Sequence, residues 1–356
     1  MTNRATLLVK EDDLAVVTGG AGFIGSAVVR ALLARGAKVR VLCEPGSSTA
    51  NLEGLDVELV ECDVRDAPSI ERSMVGVRLC FHLAALYGFW PRGPERYYDI
   101  NVEGSKTVLR AAHQAGVKRI CYTSTVATIG LQRTEGGAAA TEEDSARIEH
   151  LYGPYKRSKY VAEHEVLRLA AQGAPVVIVQ PTFPVGPGDG RPTPTGKVIL
   201  DYLNGKMPGY VETSFNVAHV DDLAEGHLLA IERGRQGRSY ICGGENLSMS
   251  ELLGELSEIT GLPLPKHKVP GALAVAAGLL SDTIEGRLLH REPSVPLEGA
   301  RMATTQMRFD DDRARRELGY RSRSAHEALR DSVAWFLSSG AATGSRAQSA
   351  ARLLGL

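Results

Sequence analysis

Thr18-Gly19-Gly20-Ala21-Gly22-Phe23-Ile24-Gly25 lies between an apolar run, Leu14 to Val17, and an amphipathic segment, Ser26 to Arg35. That order is strand, glycine-rich turn, helix. Gly19 permits a tight turn, Gly22 leaves the backbone open to an approaching pyrophosphate, and Gly25 lets the helix pack closely on the strand. Phe23 and Ile24 lie in this turn as candidate cofactor contacts, and the N-terminal N–H groups and dipole of the helix that follows favour phosphate. The stretch therefore predicts dinucleotide binding.

The alternation continues downstream. Apolar runs at Val39–Leu42, Val57–Val60, Leu79–Leu83, Arg119–Thr123 and Val176–Val179 read as strands two to six. Helical segments, including Val102–Ala115 and Tyr155–Ala171, separate them. Near-continuous apolar strands joined by helical crossovers make a buried parallel sheet covered on both faces. The expected class is α/β, a Rossmann-type doubly wound parallel sheet (residues 14–180) with a smaller C-terminal substrate lobe (residues 181–337, some segments returning to the sheet). Pro181 to Thr195 is a proline- and glycine-rich loop. Short strands near Phe215 and Ser239 and helices at Asp221–Glu232 and Ser250–Thr260 follow. Residues 1–13 read as an N-terminal extension, and residues 338–356, rich in Ala, Ser and Gly, as a flexible tail with at most a short helical turn.

Composition removes several function classes. The 356 residues are 43% hydrophobic with a net charge of −1, which gives no electrostatic case for nucleic acid or an anionic membrane. The longest apolar run, Gly271 to Leu280, is about half a membrane span. It reads as a lid over the substrate or as packing between lobes. Residues 1–13 lack a signal-peptide core. Five cysteines without CxxC pairing read as buried thiols in a reducing compartment, hence the cytoplasm. No His, Cys and carboxylate cluster has metal-ligand spacing, so no metal is expected.

Tyr155-Lys156-Arg157-Ser158-Lys159 carries the chemistry. Tyr155 and Lys159, four apart, share a helix face. A nearby ammonium favours the phenolate and lowers the tyrosine pKa, so Tyr155 can exchange a proton with a substrate oxygen while hydride moves. Tyr122-Thr123-Ser124-Thr125 ends the fifth strand, at the carboxyl edge where such sheets bind ligands. Of Ser124 and Thr125, strand alternation lets one face the cofactor. Glu44, ending the second strand, can accept hydrogen bonds from the adenine ribose and repels a 2′-phosphate. NAD is therefore favoured, with NADP possible through Arg40. Leu86-Tyr87-Gly88-Phe89-Trp90 suggests an apolar pocket wall in which Tyr87, Phe89 and Trp90 contact substrate.

TGGAGFIG, YTSTVATIG and YKRSK together resemble the extended short-chain dehydrogenase/reductase family, the NAD-dependent epimerases and dehydratases. The likeness runs from about Leu14 to about Leu337 and includes Asn101-Val102-Glu103-Gly104 and His219-Val220-Asp221-Asp222. Within the family the chain is most similar to the hopanoid-associated sugar epimerase and dihydroflavonol-reductase-like group. The resemblance implies that Tyr155 is the proton donor or acceptor and that Lys159 holds the nicotinamide ribose. Thr125 stands where the family has its catalytic serine, with Ser124 one position off. Asp63 and Val64 would touch adenine. Leu83, Ala84 and Ala85 would lie beside pyrophosphate and ribose, and Pro181 beside the cofactor. Phe183 stands where nucleotide-sugar members carry an asparagine, which argues against a UDP-sugar and for an apolar substrate. Asp221 would cap a helix, with His219 structural. A homodimer through the helices from Val102 and Tyr155 is expected. The leading reading is an NAD(P)-dependent alcohol/ketone oxidoreductase acting on a small-molecule substrate. The alternatives are a sugar epimerase or dehydratase with tightly held NAD and a non-catalytic dinucleotide-binding protein.

Overall fold

The computed structural model describes residues 9–88, 93–130, 138–291 and 293–356. Phe89 and Trp90 lie outside them. Strands β1 (Leu14–Thr18), β2 (Lys38–Cys43), β3 (Glu58–Glu61), β4 (Leu79–His82), β5 (Arg119–Thr123) and β6 (Val176–Pro181) form one parallel sheet in the order β6-β5-β4-β1-β2-β3. Ser239–Cys242 adds a seventh strand, parallel to β6 at the edge. The strand near Ser239 thus joins the main sheet and not the smaller lobe.

The central strands β1, β4, β5 and β6 are mostly apolar because both faces are covered, whereas the edge strand β3, Glu58-Leu59-Val60-Glu61, is largely exposed. Ala15, Val17, Phe81 and Cys121 enter one core with the helices Phe23–Leu33 and Val220–Arg233. Val16, Cys80, Ile120 and Ile178 enter the other, with the helices Ser105–Gln114 and Pro154–Ala171. The helix expected from Val102 begins with a π-helical turn, Asp99–Gly104, before the α-helix. Gly104 lies so close to Val64 that a Cβ would sit 2.7 Å from a Val64 methyl.

The smaller lobe has a three-stranded sheet of Phe183–Val185, Ser214–His219 and Glu245–Ser248. The helices Pro194–Leu203, Met249–Thr260 and Ala325–Ser338 share its core. The segment expected to be a flexible tail contains a helix, Gly344–Leu354, docked on this core with Ala347 and Ala350 buried. Small residues make that possible, because alanines let the helix approach closely. The His219 side chain, and not Asp221, accepts the Asp221 N–H at 3.0 Å and caps Val220–Arg233.

The buried histidines His82 and His227 contribute to the loss of this fold in acid. Thr18 Oγ1 and Ser105 Oγ flank the His82 ring at 2.7 and 2.9 Å. His227 Nδ1 donates to the Leu223 carbonyl at 2.7 Å and Nε2 lies 2.9 Å from the Thr123 hydroxyl. Burial pushes His82 down to about 3 and His227 down to about 4, from 6.5. The unfolded chain then binds more protons below about 6.5, so stability is full above that pH and falls as the pH drops. Thermal melts should show Tm falling between pH 6.5 and 4, less steeply in His227→Gln. Equal slopes for the two proteins would remove His227 from this account.

Candidate active site

A cleft of about 1070 Å³ runs along the carboxyl edge of the sheet and under the smaller lobe. It gathers every described candidate residue: Gly19, Gly22, Phe23, Ile24, Gly25, Glu44, Asp63, Val64, Leu83, Ala84, Ala85, Tyr87, Ser124, Thr125, Tyr155, Lys159, Pro181 and Phe183.

The glycine turn is shaped by close approaches. Gly19 has φ +69°, and a Cβ there would lie 2.7 Å from the Ala84 nitrogen. A Cβ on Gly25 would lie 2.1 Å from the Gly19 carbonyl oxygen, while one on Gly22 would meet that oxygen at 3.2 Å. The helix Phe23–Leu33 starts at Gly22 with no side-chain cap and no acid in its first turn. Its positive end is thus left for an anion. Thr18 Oγ1 accepts the Ala84 N–H at 3.2 Å, fixing the Leu83–Ala85 segment beside the turn. Asn51, which the sequence did not single out, donates to the carbonyls of Ala21 and Gly188 and so ties the turn to the loop after β6.

At the far end lie Glu44, Ser47, Ser48, Asp63 and Val64. Arg40 is committed elsewhere, with Glu58 at 2.8 Å and the Ser73 carbonyl at 2.7 Å. The Arg65 guanidinium beside Asp63 holds that carboxyl below its usual range.

Beyond the end of β5, Thr125 and Ser124 part company. Ser124 donates to the buried Glu163 carboxylate, which also accepts from Thr128 and Gln180. Thr125 Oγ1 accepts the Ala127 N–H at 3.2 Å and caps the turn Val126–Thr128. Burial pushes Tyr155 up to about 12; the nearby Thr125 hydroxyl opposes this and the Glu298 charge adds to it. Lys159 is 2% exposed and donates to Tyr122 Oη at 3.0 Å and to the Thr123 carbonyl at 2.7 Å. Burial pushes it down to about 7 against the pull of Glu163. The expected lowering of Tyr155 by Lys159 is therefore not seen. The ammonium is directed at Tyr122 and Thr123, and desolvation governs the tyrosine.

Asn101 joins the two halves. Its amide accepts from the Leu86 N–H at 2.7 Å and donates to the Leu86 carbonyl at 3.0 Å and to Ser158 Oγ at 2.9 Å. This fixes the segment after β4 against the tyrosine helix. Tyr87 is half exposed on the wall. Phe183 stacks on Phe215 at 4.6 Å and sits both in the lobe core and on the cleft. Met249, Met302, Met307 and Phe309 extend the apolar wall, and Arg191 and Arg301 supply its cations. None of these later residues was legible, since no local pattern marks a side chain brought in by the second lobe.

Sheet, turn and cleft define a dinucleotide-binding enzyme of Rossmann type. The family model described as the NAD dependent epimerase/dehydratase family matches residues 15–243. The chain is 42% identical to a Synechocystis sp. protein provisionally named dihydroflavonol 4-reductase, over 92% of this chain and 96% of that one. It is 36% identical to sterol demethylase protein B of Methylococcus capsulatus, over 91% and 98%. The crystal structure of gox2253 superposes with a TM-score of 0.83 at 42% identity, covering 93% of this chain and 100% of that one. The chain belongs to the NAD dependent epimerase/dehydratase family.

Proposed function

We propose that this enzyme interconverts a secondary alcohol and a ketone on a mid-sized, partly apolar molecule, using NAD. The observation that carries the reading is the hydroxyl pair of Thr125 and Tyr155, set between the glycine turn and the wall containing Phe183. The uncapped, acid-free helix start and the glycine contacts fit a pyrophosphate. NAD, when bound, would supply the hydride acceptor.

In the oxidising direction, Tyr155 takes the alcohol proton as hydride leaves the carbon. Thr125 would donate a hydrogen bond to the reacting oxygen, and Lys159 would hold ribose hydroxyls. In the reducing direction Tyr155 returns the proton. Phe183, Tyr87 and the methionines exclude water from an apolar substrate. The names of the reductase and sterol relatives fit this. The test follows NADH consumption with a panel of apolar ketones. Net oxidation matched by alcohol formation is expected; no consumption across apolar and polar ketones alike would sink the reading.

Glu44→Arg should shift preference toward NADP by about tenfold or more, because the carboxylate that repels a 2′-phosphate becomes a cation. Competing titrations of the two nucleotides measure it. An unchanged ratio would show that Glu44 does not read the ribose.

A second reading, a sugar epimerase or dehydratase that keeps its NAD, is favoured by the family description and by Arg191 and Arg301, which face the cleft and suit a phosphate. A homodimer through Ser105–Gln114 and Pro154–Ala171 and a reducing cytoplasmic setting, suited to five buried free cysteines, belong to the same proposal. No helix among the described residues is long and apolar enough to cross a membrane.

A further inference from the structure

An ammonium group carries three N–H donors and no acceptor. On Lys159 two of them are committed inside the protein, to Tyr122 Oη at 3.0 Å and to the Thr123 carbonyl at 2.7 Å. The third is left for the cleft, which Lys159 lines together with Tyr155. The Tyr122 ring supports the same ammonium, with its centroid 4.6 Å from Nζ, within cation–π range.

Both supporting groups are neutral. Glu163, one turn further along the same helix, acts on Lys159 through its charge, while its carboxylate accepts from Ser124, Thr128 and Gln180. A cation that is 2% exposed therefore depends on the dipoles and the ring beside it. Tyr122 is itself fixed. It is 1% exposed, in the core shared with the helices Ser105–Gln114 and Pro154–Ala171. Its ring lies 5.8 Å from that of His82, whose nitrogens meet Thr18 Oγ1 and Ser105 Oγ. Thr18 Oγ1 in turn accepts the Ala84 N–H beside the glycine turn. A phenylalanine would fill the same core; the oxygen is what meets the cation.

We propose that Tyr122 is a positioning residue for the cofactor: its hydroxyl and the Thr123 carbonyl hold Lys159 so that one N–H is presented to the cleft. This rests on the ribose role proposed for Lys159. Tyr122 acts through the lysine and touches no reacting atom. By accepting from the ammonium, its hydroxyl favours the charged lysine. Burial pushes Lys159 down to about 7, and Glu163 pulls the other way. The other titratable groups beside it are His82, pushed down to about 3, and Tyr155, pushed up to about 12, so neither changes charge near neutral pH. Loss of the Tyr122 hydroxyl thus lowers the pH at which the ammonium is lost.

NAD affinity of the full chain is measured by calorimetry at about pH 6 and about pH 8, for the natural protein, Tyr122→Phe, Lys159→Met and the double variant. Tyr122→Phe should bind NAD within about twofold of the natural protein at the lower pH and about tenfold more weakly at the higher, as expected if the lysine loses its charge about one pH unit earlier. In the Lys159→Met background the tyrosine change should add less than about twofold at either pH. Unchanged affinity in Tyr122→Phe, an equal loss at both pH values, or a loss that persists without the lysine overturns the proposal, the last two assigning Tyr122 to packing alone. Full affinity in Lys159→Met removes the ribose role and this inference with it. Weak binding by Lys159→Met beside normal binding by Tyr122→Phe overturns this inference alone.

Discussion

Tyr155→Phe is expected to lower turnover by about 10²–10⁴-fold while NAD affinity stays within about threefold. The phenyl ring keeps the volume and the edge contact with Tyr97 at 6.4 Å. What disappears is the hydroxyl proposed to exchange the proton. A thousandfold loss corresponds to about 4 kcal/mol of transition-state stabilisation. Steady-state rates on an accepted substrate and calorimetric NAD titration separate the two effects. Near-full turnover by the variant would mean that another group moves the proton.

Gly25→Ala is expected to abolish NAD binding and lower Tm together. Its Cβ would sit 2.1 Å from the Gly19 carbonyl oxygen, and both partners are backbone, so no side-chain rotation relieves the clash. Overpacking of this kind costs about 1–3 kcal/mol, and here the displaced atoms are the turn itself. Gly22→Ala is the control. Its Cβ would meet the same oxygen at 3.2 Å with φ at −74°, so the fold tolerates it, while the methyl enters the path of the pyrophosphate. Thermal melts and NAD titrations of both variants test this. Wild-type affinity in Gly25→Ala would show that the turn does not hold the cofactor as described.

The central strands were legible because two-sided burial makes each a short apolar run, and the limits of all six moved by only a residue or two. The glycine turn was legible because its backbone constraints are local. The seventh strand was misassigned to the smaller lobe because Ser239–Cys242 is short and its partner β6 is about sixty residues earlier. The terminal helix was missed because alanine-rich composition describes a loose tail as well as a close-packed helix. Lys159 and Tyr155 were paired by helix spacing, yet the Tyr122 hydroxyl and the Thr123 carbonyl, contributed by another element, take the ammonium. Asn51, Asn101 and Glu163 act through partners distant in sequence, which no local pattern announces.

In the proposed alcohol/ketone reaction the nucleotide exchanges with every turnover. Denaturing the purified protein and weighing the released nucleotide by mass spectrometry tests it most directly. The expected result is a protein largely free of nucleotide that binds added NAD reversibly. Stoichiometric NAD carried through purification would contradict it and point to an internal redox cycle on a sugar.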